Sequence, residues 1–134
     1  KAIFQQQCVV CHGPSGTEGP MDRLAGGQGS LAGDSPVKTV GSYWPYATTV
    51  FDYIRRAMPL TAPGSLTADQ AYAVTAYVLF LNGIVGESDV IDAGSLPQVR
   101  MPNRDGFVPD PRPDVPYWLL RAGEPAPPAA SGTR

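Results

Sequence analysis

The sequence is short of the residues from which most sites are built: its 134 residues include one histidine, two cysteines, two tryptophans and three methionines. Two cysteines and one histidine cannot close a structural zinc site, which needs four such ligands. No nucleophile is matched to a base and no phosphate-binding loop is present, so the chain carries no catalytic constellation of its own. Charge is sparse too. Asp, Glu, Lys and Arg make up 16% of the chain, against about 25% in ordinary domains. The net charge of −2 and pI near 5.2 leave no basic footprint for nucleic acid. No apolar run reaches the roughly 18 residues of a membrane-crossing helix; the longest, AYVLFLNGIV, is too short and is broken by Asn-Gly.

Glycine and proline, by contrast, are in excess at 15 each. Nine of the prolines lie between residues 97 and 134, which divides the chain into an expected globular part, 1–85, and a proline-rich tail, 86–134. A core of some 85 residues is small, and such domains often lean on a staple or cofactor.

Both cysteines and the only histidine fall in one pentapeptide, CVVCH, at residues 8–12. Cys-x-x-Cys-His is the signature of covalent haem attachment. On a helical turn, positions i, i+3 and i+4 share a face. Cys8 and Cys11 then reach two vinyl groups along one porphyrin edge while His12 turns its imidazole to the iron. A thioredoxin-like redox pair would need a βαβ context that is absent here, and a plain disulfide would leave His12 idle. One haem also accounts for residues 13–45, which hold eight glycines and almost no periodicity. A loop that long argues against a compact domain unless it wraps something large and apolar.

Hydrophobic spacing predicts three helices. The first covers 2–11, with Phe4, Cys8 and Cys11 or His12 on one face; only seven residues precede Cys8, so this helix is expected to begin at or before the first residue. The second covers about 46–57, with Pro45 in its first turn and an inward stripe of Ala47, Val50, Phe51 and Ile54. The third covers about 68–82. Thr67 and Gln70 form a capping box at its start, and Asn82-Gly83 stops it. Its body is apolar nearly all round, which predicts burial on most sides.

With one histidine, the sixth iron position falls to methionine, lysine, an exogenous group or nothing. Met21 lies in the wrapping loop on the histidine's side, and Met101 follows the last clear helix in the tail. Met58 continues the inward stripe of the second helix, and Pro59 disfavours α conformation at Met58 and ends the helix there. Its side chain is thus aimed inward from an extended segment, and His/Met ligation is a familiar pattern. A buried Met is also an ordinary packing residue, but helix phase favours Met58 as the ligand. The neighbouring Arg55–Arg56 pair faces either haem propionates, acidic residues of a partner, or solvent at the helix C-terminus.

CVVCH, the glycine-rich EGPMDRLAGG and a Met-Pro before the last helix together resemble a class I cytochrome c over residues 1 to about 83. That resemblance implies an all-α fold of three to four helices around one covalently bound haem, followed here by a mostly irregular extension. It also implies that the Pro20 carbonyl accepts from the other nitrogen of His12, and that Phe4 packs on Tyr77. GSYWPYATTVFDYIRRAMP, SLTADQAYAVTAYVLFLNGIV and LPQVRMPNRDGFVPDPRPDV resemble, more narrowly, the haem c subunits of sulfane dehydrogenases. Those subunits serve a molybdenum partner in the bacterial Sox thiosulfate-oxidising system, and the similarity covers about 43–115. It implies an electron-transfer subunit that takes electrons singly from a molybdopterin centre on the partner and passes them to a soluble cytochrome c. The alternatives are the cytochrome subunit of a sulfite dehydrogenase and a free-standing shuttle cytochrome.

CxxCH haem attachment occurs outside the cytoplasm, so the periplasm is the expected location. The tail holds VPYWLLR at 115–121, and aromatic residues and Arg commonly anchor interfaces. Residues 95–134, including Tyr117 and Trp118, are therefore expected to wrap the partner, with Met101 as a contact residue. The other arrangement is a tail packed back over the haem domain.

Overall fold

The computed structural model describes residues 1–108, and among them helices are the only regular secondary structure. Four α-helices run Ala2–Gln7 (α1), Val9–His12 (α2), Ala47–Ala57 (α3) and Ala68–Leu81 (α4). Short 3-10 turns cover Ser30–Ala32 and Leu96–Gln98.

The first expected helix is present in two pieces. Cys8 stands between them at φ −119° and ψ −33°. Its N–H still donates to the Phe4 carbonyl (2.8 Å), and the His12 N–H donates to the Cys8 carbonyl (2.9 Å). The helical bonding pattern therefore passes through the step, which bends the segment without ending it. Phe4 is completely buried, and its ring meets Tyr77 of α4 at 5.1 Å with a 59° tilt.

α4 begins as its sequence specifies. The Thr67 hydroxyl accepts from the Gln70 N–H (3.3 Å) and the Gln70 side chain accepts from the Thr67 N–H (2.9 Å), so two otherwise orphaned donors are satisfied reciprocally. Gly83, at φ 66°, takes the left-handed position just past the helix. α3 starts one residue later than expected: Tyr46 is its N-cap, and Pro45 precedes the helix instead of sitting in its first turn. No side-chain cap and no acidic residue mark that start, so nothing local fixes it.

α4 packs against α3 and α1, and one buried cluster joins Phe4, Val40, Ala47, Val50, Ile54, Leu66, Ala71, Val74, Val78 and Leu79. Phe51 stacks on Tyr72 across the α3–α4 contact at 4.2 Å. The segment after residue 85 enters the same cluster through Leu96 and Met101. Met101 is thus a core residue, 1% exposed, and not the partner contact expected of it. The 3-10 turn at Leu96–Gln98, lying against α3, drives it inward. Tyr117 and Trp118, the expected anchors, lie outside the described residues. No helix among the described residues is long and apolar enough to cross a membrane.

Candidate functional site

Cys8 and Cys11 are both half-buried and form no disulfide with each other. Burial first, and the neighbouring Cys11 second, push the Cys8 thiol up to about 11. The Cys8 sulfur is therefore a neutral thiol at pH 7, unlike the thiolates of a metal-binding pair. No group of three or more His, Cys, Asp or Glu side chains able to hold a metal ion occurs among the described residues. Two adjacent thiols followed by a histidine form a donor set suited to thioether attachment of a haem, with the imidazole on its iron.

The state of His12 supports the same assignment. His12 Nδ1–H donates to the Asp22 carbonyl at 2.9 Å. This bond fixes the tautomer with the proton on Nδ1 and leaves the Nε2 lone pair free for a metal. The acceptor is not the Pro20 carbonyl that the family resemblance implied. The Met21 N–H donates to the Cys11 carbonyl at 3.0 Å. Within one planar trans peptide the Pro20 C=O must point the opposite way, and the Asp22 carbonyl, two residues on, turns to the imidazole. Gly19 makes the approach possible, because a Cβ there would collide with the Cys11 carbonyl.

The loop after CVVCH is held by side chains that its sequence did not advertise. Thr39 and Ser42 are buried and bond reciprocally: the Thr39 N–H donates to Ser42 Oγ (2.8 Å) and the Ser42 N–H to Thr39 Oγ1 (3.1 Å). Each hydroxyl then donates onward at 2.6 Å, Thr39 to the Gly26 carbonyl and Ser42 to that of Val37. Asn82, which the sequence marks only as a stop signal, does more. Its Nδ2 donates to the Leu24 (3.0 Å) and Val78 (2.8 Å) carbonyls, and its Oδ1 accepts from the Gly26 N–H (3.2 Å). The end of α4 is thereby fastened to the loop whose Asp22 orients His12. Gly41 lies so close to Asn82 that a Cβ would strike its side chain.

The three methionines occupy three different environments. Met21 is 50% exposed, beside Cys11 on the histidine side. Met101 is enclosed by protein. Met58 is the C-cap of α3, half-buried and extended at φ −118° and ψ 149°, with its N–H donating to the Ile54 carbonyl at 3.1 Å. Its backbone is satisfied while its thioether is only partly covered. Half-covered Val9, Leu24, Trp44, Phe51 and Leu81 pack against the core, and such side chains suit a core completed by a large apolar group. Arg56 is committed to Asp52 one turn earlier, with Nε to Oδ1 at 2.9 Å, on the exposed side of α3.

A haem-ligating CxxCH on a short helix, a glycine-rich loop closing over it and a methionine at the end of the next helix define a mono-haem cytochrome. The cytochrome c family profile matches residues 1–82, and the chain belongs to that family. It therefore carries covalently bound haem c and is an electron-transfer protein. Among solved structures, a chain of the sulfane dehydrogenase SoxCD from Paracoccus pantotrophus is similar, with a TM-score of 0.80 and 41% identity. The match covers 99% of this chain and 66% of that one, so the protein spans just under two thirds of its neighbour's length. No curated protein sequence matches it.

Proposed function

We propose that the protein is the electron-transfer subunit of a molybdenum-dependent sulfur-compound dehydrogenase of the sulfane type, working in the periplasm. One observation carries this reading. The family profile ends at residue 82, whereas the likeness to the SoxCD chain runs over 99% of the sequence at 41% identity, well beyond what a generic cytochrome shares.

In this reading Cys8 and Cys11 would hold the haem by thioether bonds, and His12 Nε2 would ligate its iron. Met58 would supply the second protein ligand, because Met21 lies on the histidine's side and Met101 is already enclosed. The iron supplies reversible one-electron chemistry, and thioether ligation raises its potential. The His12–Asp22 bond holds the imidazole's orientation and basicity. With His12 and Met58 both holding the iron, a substrate would find no open position there. The oxidation then takes place on a molybdopterin-bearing partner, held by the part of the expected 95–134 segment that follows the strongly packed Leu96–Met101 stretch and includes Tyr117 and Trp118. A soluble cytochrome c is the acceptor.

The test is to purify the chain from its source under native conditions, identify what accompanies it and assay the complex for molybdenum. A co-purifying molybdopterin subunit, with haem reduced by protein-bound sulfane sulfur, is the expected result. Haem reduction by sulfite instead would reassign the substrate. A chain that elutes alone, unreduced by either, would overturn the proposal.

A further inference from the structure

α3 carries Met58 at its C-terminal end yet has neither a side-chain cap nor an acidic first turn, so its position depends on what packs around it. α4 covers one side. Among the helical elements, its other contact comes from the segment that follows α4. The 3-10 turn Leu96–Gln98 lies against α3, and Leu96 and Met101 share its buried cluster. Just beyond, the Asn103 side chain donates from Nδ2 to the Tyr43 carbonyl at 2.7 Å. The Arg104 guanidinium lies 4.6 Å over the ring of Tyr46, the N-cap residue of α3, and Phe107 meets Tyr43 edge-on at 5.2 Å.

We propose that residues 96–107 form a strap that positions the Met58-bearing helix, with Met101 as its buried key and Asn103 and Arg104 as latches on the helix's N-terminal side. The inference rests on Met58 being the sixth ligand and adds a positioning residue to it. Strap and ligand bond are coupled reciprocally: whatever loosens the strap raises the population in which α3 has shifted and the thioether has left the iron. Met101 touches neither haem nor substrate; it acts through α3.

The test uses the haem-loaded full chain. Ferric protein is titrated with imidazole, and displacement of Met58 is followed by loss of the methionine–iron absorption. Met101→Ala should be half-displaced at about tenfold lower imidazole, a modest value for coupling between packed elements. Amide exchange at Ile54–Met58 should quicken more than at Val74–Leu79. Met101→Leu, which keeps the volume, should return the affinity to within about threefold of wild type. If Met101→Ala lowers the unfolding midpoint but leaves imidazole affinity and the exchange pattern alone, the residue is packing only and the strap is refuted. Should that variant not fold, Asn103→Ala deletes one latch and decides the matter through the same two readouts: a shift of about threefold supports the strap, and no shift in either refutes it. Should wild-type protein bind imidazole as tightly as Met58→Ala, the ligand assignment is wrong, and the exchange difference alone then decides the strap.

Discussion

Met58-Pro59 and Met101-Pro102 are the same dipeptide in opposite surroundings. In both, the proline keeps the methionine out of helix. Met58 leaves the end of α3 half-buried, whereas Met101 is 1% exposed inside the core. A thioether already surrounded by hydrocarbon is a packing group, and one left partly uncovered at a helix end is available to a metal. Burial, and not the motif, separates the two, and under the proposed reading it separates a ligand from a filler.

The comparison breaks most visibly at Met58. Met58→Ala should abolish the low-spin His/Met spectrum and lower the reduction potential by on the order of 0.1 V, within the roughly 0.8 V span that axial ligands command; spectroelectrochemistry reads both. Met101→Ala should do the reverse. Its resting spectrum stays that of a His/Met haem while stability falls by about 2–5 kcal/mol, the usual cost of truncating a buried methionine, measured by chemical denaturation. Asn82→Ala, remote from both Met-Pro pairs, strips partners from the Leu24 carbonyl and Gly26 N–H. It should cost about 1–3 kcal/mol, with faster amide exchange in residues 24–28 and no change of axial ligands.

The smallest effect belongs to Glu18. Hydrogen bonding from the Ser15 hydroxyl first, and from the Thr17 and Ser15 N–H groups, holds its carboxyl below the usual range. A depressed carboxylate stabilises the folded form at pH above its unfolded value, and that contribution fades as pH falls through the lower folded value. Glu18→Gln should therefore flatten the acid limb of a stability–pH profile slightly, leaving both methionines as they are.

The helices were legible where local signals agree. The Thr67–Gln70 box and Asn82-Gly83 bound α4, and the spacing of Ala47, Val50 and Ile54 gave α3 a buried face that the structure keeps. Phe51, in the same stripe, is only half-covered because it stacks on Tyr72 at the edge of the contact. The start of α3 falls one residue later than its spacing predicts because no cap marks it. The Thr39–Ser42 pair and the linkages of Asn82 could not be read at all. Hydroxyls and amides find partners by proximity across as many as 60 residues of chain, and a Gly-rich loop has no periodicity to announce them.

The sequence by itself determined the chemistry. Two thiols and an imidazole at i, i+3 and i+4 are set by helix geometry within five residues, and no distant contact is needed to bring them together. Tertiary structure decided everything that depends on which surfaces meet. It turned the Asp22 carbonyl to His12 because the Met21 N–H was already engaged by Cys11, and it folded Met101 back into the core through the turn at Leu96. Of the two Met-Pro methionines it left Met58 partly uncovered and enclosed Met101, because burial is a property of the packed chain and is not written in any dipeptide.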